Sequence, residues 1–245
     1  MPADELICGE EAVLAMLDGW LAGRPSAWWE GFYADRQKPV PFFGDAPDEC
    51  LAEWVAQWAD SHAEPGRRAL DIGCGNGRNA RFLASRGFDV DGVDYAQAAI
   101  DWATQRAAEL GVQVRWQCKS VFDIDLPAGG FDLVYDSGCF HHLAPHRRHT
   151  YVQLVSKALR PGGWFGLVCF RPEGGSGFSD AQVYERRTLG GGLGYTEAQL
   201  RAIWSTGLEV HGTRRMLKPP AGADVFGEDF LSVLWARKAA GPASD

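Results

Sequence analysis

Three glycines that alternate with other residues, Gly73, Gly75 and Gly77, follow a short apolar segment and precede a helical pattern. Glycine permits sharp turns and a close approach of the main chain to a ligand, and a helix N-terminus attracts anionic groups. A carboxylate, Asp94, ends the next apolar segment, where it can accept hydrogen bonds from both hydroxyls of a ribose. This spacing predicts a site for a ligand that contains a nucleoside.

The spacing of the glycines also separates one class of nucleotide ligand from another. A dinucleotide fingerprint has its third glycine five residues after the first, and in this chain Arg78 stands at that position. The third glycine serves close packing of helix on strand, and arginine is too bulky for that role. The loop is therefore not typical of a pyrophosphate site.

Two adjacent histidines, His141 and His142, are the candidate catalytic bases. Imidazole titrates close to neutral pH and can take a proton from a hydroxyl or an amine; the alternative is that the pair only shapes a pocket. Cys139 precedes them, and we expect it to pack rather than to react. The six cysteines form no C-x-x-C pair, so we expect reduced thiols and no bound metal.

The elements that must position these residues alternate along the chain. Strand patterns cover 68–72, 89–94, 112–117, 131–135 and 164–170, and helical patterns cover 48–61, 78–85, 97–110, 146–159 and 196–206. This alternation predicts an α/β, Rossmann-like, doubly wound and mostly parallel sheet. Two last strands, 208–216 and 230–237, have no helix between them. We expect them to complete seven strands as a C-terminal antiparallel edge hairpin.

Composition excludes several classes of partner. The chain of 245 residues has 24 Lys and Arg against 32 Asp and Glu, a net charge of −8 without a long basic run, so a nucleic-acid partner is not expected. No apolar run approaches the roughly 20 residues of a membrane span. The first nine residues lack the basic start of a signal peptide. We expect a cytoplasmic monomer or homodimer that acts on a small molecule.

Three motifs resemble those of a known family. The segment ALDIGCGNG at 69–77 resembles the first motif of class I S-adenosylmethionine-dependent methyltransferases. FDLV at 131–134 resembles their fourth-strand motif, and LRPGG at 159–163 resembles the turn before their fifth strand. The resemblance covers roughly 65–237 and implies S-adenosylmethionine as cofactor and methyl transfer to a small-molecule acceptor.

Finer similarities point to one branch of that family. GNGRN at 75–79 is similar to the tellurite-resistance methyltransferases, and WWEGFY at 28–33 and YDSG at 135–138 are similar to the thiopurine methyltransferases. The branch implies an acceptor with a soft nucleophile such as a thiol. The alternatives are an O- or N-methyltransferase of a small metabolite that uses a histidine base, and a non-catalytic nucleotide-binding Rossmann protein.

The resemblance also implies roles for residues in the cofactor site. Asp94 would hold the ribose, Tyr95 would lie beside the adenine, and Asp136 would lie near the sulfonium. Ser120 stands where the family usually has an acidic residue that accepts from the adenine amino group. The full set of implied cofactor-binding residues is Asp71, Gly73, Cys74, Gly75, Gly77, Asp94, Tyr95, Ser120, Val121 and Asp136.

Two segments lie outside the predicted core. Residues 1–45, here called the cap, are rich in aromatic side chains and are expected to close over the cofactor; the alternative is simple packing on the sheet edge. The methyltransferase domain would then be 46–245, with an insertion at 171–195 that lines the substrate side of the pocket. The alternative for this segment is a solvated loop without a specific role. Three residues of the insertion, Arg171, Tyr184 and Arg186, could meet an anionic substrate group. The expected substrate-binding residues are Trp29, Tyr33, Phe43, Arg171, Tyr184 and Arg186.

Overall fold

A computed structural model of the protein describes residues 7–21, 24–59 and 66–241. The strands are β1 (Arg68–Ile72), β2 (Asp89–Asp94), β3 (Arg115–Cys118), β4 (Phe131–Ser137), β5 (Leu159–Phe170), β6 (Glu209–Arg215) and β7 (Leu231–Arg237). The helices are α1 (Glu10–Trp20), α2 (Ser26–Ala34), α3 (Glu49–Ala59), α4 (Arg78–Ser85), α5 (Gln97–Leu110), α6 (Arg148–Ala158), α7 (Asp180–Arg186) and α8 (Glu197–Trp204). The predicted end of the helix at 48–61 lies outside the described residues.

All seven strands form one sheet in the order β3-β2-β1-β4-β5-β7-β6. The pairs among the first five are parallel, and β7 pairs antiparallel with both β5 and β6. The predicted α/β fold with an antiparallel edge hairpin is therefore confirmed. The strand order reverses between β1 and β4, and the carboxyl edge at such a reversal is where ligands bind in doubly wound sheets.

Local sequence signals account for several element boundaries. Helix α4 begins after Gly77, and α5 ends at Gly111, whose φ of 67° terminates the helix. Helix α8 begins with a capping box in which Thr196 and Gln199 each accept from the other's main-chain N–H, as the sequence predicts. These helices match or nearly match their predicted limits, because glycines and polar caps fix them locally.

Other boundaries differ from the prediction because pairing between distant residues sets them. Strand β5 begins at Leu159 and not at 164, since Leu159 pairs with Phe131 and the strand continues through the Pro-Gly-Gly segment with a shift of register. Strand β4 continues past 135 to Ser137, which pairs with Val168. Helix α6 begins at Arg148, after a separate 3-10 turn over Pro145–Arg147.

The sheet buries side chains on both faces. One face packs on α6 and α8 around Tyr151 and Trp204, and the other packs on α3 and α4 around Leu51 and Leu83. Strand β4 shows the alternation, since Val134 faces the first cluster and its neighbours Leu133 and Tyr135 face the second. This double cover holds the carboxyl edge of the strands rigid.

The cap packs across that carboxyl edge. Helix α2 lies on α5, where the Glu30 carboxylate accepts the N–H of Ala98 at 3.0 Å in the first turn of α5. Tyr33 and Phe43 are buried with Trp102 in a third apolar cluster, separate from the two that cover the sheet. The described part of the cap is therefore an ordered layer over one end of the domain.

Candidate functional site

The glycine loop after β1 is shaped to exclude side chains. Gly73 and Gly75 have φ values of 65° and 53°, which L-residues rarely adopt. A Cβ on Gly73 would lie 2.8 Å from the Cβ of Cys139, and a Cβ on Gly75 would lie 2.6 Å from the hydroxyl oxygen of Tyr33. The bare main chain borders a cavity of about 1180 Å³ that also contacts the cap and the 171–195 segment.

Asp94 fixes the loop to β2 and also lines this cavity. Its carboxylate accepts the N–H of Gly75 and the N–H of Ala96, both at 3.0 Å. Burial raises the pKa of Asp94 to about 6. A carboxylate offers about four acceptor positions, so two main-chain donors leave capacity for the hydroxyls of a ligand.

The part of the cavity wall next to Asp94 contains the residues expected beside the adenine. Tyr95, Ser120 and Val121 all line the cavity. The Tyr95 hydroxyl donates to the main-chain oxygen of Arg24 at 2.7 Å, which ties this wall to the cap. The Ser120 hydroxyl accepts the N–H of Phe122 at 3.3 Å and starts a short 3-10 turn. Cys74 of the glycine loop is on the cavity wall, but Gly77 is not, contrary to expectation, because it packs against Trp116 and Ala103, whose side chains would lie 2.6 and 2.9 Å from a Cβ at this position.

Two buried carboxylates lie next to the glycine loop, and of these Asp71 is on the cavity wall. Asp71 accepts the N–H of Ala80 at 3.0 Å, and burial raises its pKa to about 8. Asp136 lies within β4 and not past its end, and it is absent from the cavity wall, contrary to the expected place near a sulfonium. The Asp136 carboxylate accepts hydrogen bonds from the Tyr151 hydroxyl at 2.6 Å and from the N–H groups of Cys139 and Phe140. It therefore positions the loop that follows β4.

The two histidines form a neutral, hydrogen-bonded pair in the wall. The His141 ring stacks on Phe170 with 3.7 Å between centroids, and its Nδ1 accepts the N–H of Phe170 at 3.3 Å. The proton of His141 is therefore assigned to Nε2, which donates to Nε2 of His142 at 3.1 Å. Burial lowers both pKa values, that of His142 to about 3. Both rings are uncharged at neutral pH, and the lone pair on Nε2 of His142 already accepts the hydrogen bond from His141.

The expected substrate-binding residues divide into two groups. Trp29 and Tyr33 line the cavity, and the Tyr33 hydroxyl, which faces Gly75, makes no hydrogen bond to any described residue. Phe43 lies behind this wall with its ring 4.9 Å from that of Trp102. The cap thus contributes two of its three predicted residues to the cavity.

The charged residues of the 171–195 segment do not reach the cavity, which corrects the expectation for them. Arg171 pairs with Glu173 at 2.9 Å, the Tyr184 hydroxyl bonds to His146, and Arg186 lies over the Phe178 ring at 4.6 Å. The segment folds so that main chain lines the cavity in their place. The glycines of the segment on the wall are Gly174, Gly175, Gly190, Gly191 and Gly192.

Sequence reasoning missed a buried network behind the glycine loop. The Arg78 guanidinium donates to Asp48 at 2.6 Å and to Ser137 at 3.2 Å, and Asp48 also accepts from the Tyr135 hydroxyl at 2.8 Å. Asp48 is fully buried, and Ser137 lies on the cavity wall. The signal available in the sequence was Arg78 itself, at a position where dinucleotide sites need glycine.

The arrangement suits a nucleoside with a flexible polar tail. A glycine loop whose main chain borders the cavity, a carboxylate that can accept from ribose hydroxyls and a cavity that extends beyond them together fit S-adenosylmethionine. Within the described ranges, no cluster of three or more metal-ligating side chains occurs, and no helix is long and apolar enough to cross a membrane. The fold and the site define a nucleoside-binding α/β enzyme of the methyltransferase type.

Comparison with known proteins identifies the family. Residues 69–163 match the family model of a methyltransferase domain. An uncharacterized methyltransferase of Schizosaccharomyces pombe is 30% identical over 49% of this chain and 83% of its own length. The chain belongs to the class I S-adenosylmethionine-dependent methyltransferases, and S-adenosylmethionine is their cofactor.

Two further similarities show how much of the chain is shared with known proteins. The ubiquinone biosynthesis O-methyltransferase of Chromobacterium violaceum is 34% identical over 43% of this chain and 45% of its own length. The chain spans about half the length of the ubiquinone biosynthesis O-methyltransferases that it matches. A structure reported for the conversion of a disulfide bond into a thioacetal group during echinomycin biosynthesis shares the fold, with a TM-score of 0.65, 20% identity and coverage of 89% of this chain and 94% of that one.

We predict that Asp94 makes cofactor affinity depend on pH. Because its pKa is raised to about 6, the carboxylate protonates as the pH falls below that value, and the stronger hydrogen bonds to a charged acceptor are lost. The part of the affinity for S-adenosylhomocysteine that depends on Asp94 should be constant above pH 7 and fall below pH 6. Asp94→Asn should weaken binding by about tenfold or more at pH 7.5 and abolish this pH dependence, as calorimetry from pH 5 to 8 can measure.

Asp89→Asn is the matched control, since Asp89 lies at the opposite end of β2 and pairs with Arg115. It should bind with the affinity and pH profile of the unmodified protein. A loss of less than twofold in Asp94→Asn, or an unchanged pH profile, would refute the ribose-binding role.

Proposed function

We propose that the protein transfers the methyl group of S-adenosylmethionine to a small, largely apolar acceptor whose nucleophile is soft, such as a thiol. The observation that carries this proposal is a single cavity with two different sides. The glycine loop and Asp94 form one side, and Trp29, the His142 ring and Phe170 form the other. One cavity of about 1180 Å³ has room for a cofactor and an acceptor together.

The residues of the cavity would act mainly by alignment. The cofactor supplies a methyl group on a sulfonium, which a nucleophile attacks in line. Asp94 would hold the ribose, Tyr95 and Val121 would flank the base, and the aromatic wall would direct the acceptor toward the glycine loop. Holding two reactants in attack geometry supplies about 7–11 kcal/mol, so such a site needs little acid–base chemistry.

We infer that the cap excludes water from this reaction. The Asn76 side chain donates to the main-chain oxygens of Phe43 and Gly44 at 3.0 and 3.2 Å, which joins the cap to the glycine loop. The Tyr33 hydroxyl lies directly over Gly75. Aromatic rings beside a sulfonium add cation–π attraction of about 0.5–2 kcal/mol, which supports a role for the cap in cofactor binding.

The state of the histidine pair supports a soft nucleophile. A base with a pKa of about 3, such as His142, gives little driving force for removing the proton of a hydroxyl near pKa 10. A thiol ionises in part by itself at neutral pH, since its usual pKa is about 8.5. An acceptor of this kind would need no protein base.

A second candidate is O-methyl transfer, as in the ubiquinone biosynthesis O-methyltransferases named above. His142 lines the cavity, and its Nε2 would be free to accept a proton if the bond from His141 were broken. This reading requires a rearrangement of the pair when the acceptor binds. For a hydroxyl acceptor, replacement of His142 should slow methyl transfer strongly, whereas for a thiol acceptor it should have little effect.

The test is methyl transfer to three acceptors of one size, thiophenol, phenol and aniline, with products detected by mass spectrometry. We expect methylation of the thiol, with His142→Ala keeping most of that turnover because no base is required. For a hydroxyl acceptor, loss of a working base should cost about 10²–10⁴-fold in rate. His149→Ala, on the exposed face of α6, is the control.

Two outcomes would contradict the proposal. Thiol turnover a hundredfold slower in His142→Ala, with unchanged affinity for S-adenosylhomocysteine, would make the histidine a base. Tight cofactor binding without methylation of any acceptor would support the non-catalytic reading.

A further inference from the structure

Arg24 presents an arginine side chain to the cavity without a carboxylate partner. Its side chain lies on the cavity wall, and its guanidinium carbon is 4.1 Å from the ring centroid of Trp28 and 5.7 Å from that of Trp29. Within 7–21, 24–59 and 66–241, no Asp or Glu oxygen comes within ion-pair distance of it. Among the residues that the structure describes, the guanidinium contacts the faces of two aromatic rings, and the rest of this exposed side chain meets solvent.

The other arginines on the cavity wall are fully engaged. Arg78 pairs with Asp48 at 2.6 Å, and Arg147 pairs with Asp18 at 2.5 Å and Glu11 at 3.2 Å. In a protein of net charge −8, most cations find an acidic neighbour, as these two do. An arginine left without one beside a ligand cavity is available to an anion from solution.

The surroundings of Arg24 fix where such an anion would lie. Its main-chain oxygen accepts the Tyr95 hydroxyl at 2.7 Å, which holds this part of the cap beside the cofactor wall. One Nη atom is 3.3 Å from where a Cβ on Gly191 would stand, so the guanidinium reaches the glycine segment opposite. Trp29 also contacts the His142 ring at 4.8 Å. The cation therefore lies at the acceptor side of the cavity.

The charge of Arg24 also acts on the two histidines. Arg24 is one of the charges that lower the pKa values of His141 and His142, after burial. A positive potential at two neutral rings favours an anionic ligand in the space between them and Arg24. Arginine presents a planar fork of donors that matches both oxygens of a carboxylate.

We propose that Arg24 binds a carboxylate of the acceptor, so that the acceptor is an aromatic or otherwise apolar thiol that also carries a carboxylate. This inference rests on the proposed function, because it assigns the anion to the acceptor of the same methyl transfer. In that reaction the ionised acceptor sulfur forms a bond to the methyl carbon as the sulfonium bond breaks. The electron pair of the broken bond stays on the cofactor sulfur, and the carboxylate is unchanged.

The test compares 4-mercaptobenzoate with its methyl ester, which has the same ring and thiol but no carboxylate charge. For each we would measure the dissociation constant by tryptophan fluorescence with S-adenosylhomocysteine bound, and kcat/KM with S-adenosylmethionine. We expect the unmodified protein to prefer the carboxylate by about tenfold or more. The preference should fall close to one in Arg24→Gln and be partly retained in Arg24→Lys, which keeps the charge without the fork.

Arg186→Gln is the matched control, because Arg186 also lies over an aromatic ring but away from the cavity. It should keep the full preference. Equal binding of the two ligands by the unmodified protein, or a preference that survives in Arg24→Gln, would overturn the assignment. If the binding preference responds to Arg24 while neither thiol is methylated, the anion site stands and the proposed function fails. If both thiols are methylated with equal efficiency, the proposed function stands and the anion site fails.

Discussion

Gly75→Val is expected to abolish measurable binding of S-adenosylhomocysteine while the fold persists. The new Cβ would stand 2.6 Å from the Tyr33 hydroxyl oxygen, so the valine would displace Tyr33 and crowd the cavity that both residues line. The φ of 53° at this position is also unfavourable for a β-branched residue. We expect affinity to fall by more than about a hundredfold, equivalent to roughly 2.7 kcal/mol, as measured by calorimetry.

A control must separate loss of the binding space from backbone strain. Gly87 has a φ of 85° and nothing within 4 Å of its would-be Cβ. Gly87→Val should therefore carry a similar conformational cost without loss of affinity. If Gly75→Val binds as tightly as the unmodified protein, the cofactor does not lie against this loop; if Gly87→Val loses affinity equally, strain and not the filled space is responsible.

The second large effect is expected from Asp48→Ala. This substitution would leave the Arg78 guanidinium, with its side chain 7% exposed, without its carboxylate. It would also remove the acceptor of the Tyr135 hydroxyl. Breaking a buried ion pair by removing one partner costs about 3–5 kcal/mol. We expect the free energy of unfolding to fall by that amount in urea titrations, through a lower midpoint at an unchanged slope.

The matched control is Asp180→Ala, which breaks the ion pair of Asp180 with Arg148 at the surface. The Asp180 side chain is 56% exposed, and such pairs contribute about 0–1 kcal/mol. A loss below 1 kcal/mol in Asp48→Ala would mean that Arg78 finds other partners and that the network does not hold the glycine loop in place.

The sequence contains enough local information to predict the scaffold of the site. Gly77, Gly111 and the Thr196–Gln199 capping box mark helix ends through the conformation or hydrogen bonding of a few adjacent residues. Asp94 could be placed beside the glycine loop, where it lines the cavity, because its position follows from the end of one strand. Signals of this kind need no knowledge of distant contacts.

The chemistry of the cavity wall depends on contacts that the sequence does not display. Arg171 and Arg186 resemble anion-binding residues by type, but acidic and aromatic neighbours engage them away from the cavity. Arg24 has no motif, and its exposure to the cavity results from how the cap folds back onto the domain. Asp136 belongs to β4 because pairing with β5 extends that strand, which turns its carboxylate toward Tyr151.

The position of β7 between β5 and β6 has a consequence for the order in which the protein can assemble during synthesis. Strand β6 pairs only with β7 in the sheet, so when β6 leaves the ribosome it has no strand to join. Strand β6 can therefore join the sheet only through β7, either after β7 has docked on β5 or together with it as a preformed hairpin. Glu49 in α3 accepts from Arg214 in β6 at 2.6 Å, so α3 gains this partner only when β7, which is made after β6, has brought β6 into the sheet. The ion pair between Glu49 and Arg214 therefore forms late, because α3 must wait for a strand that lies far downstream in the chain.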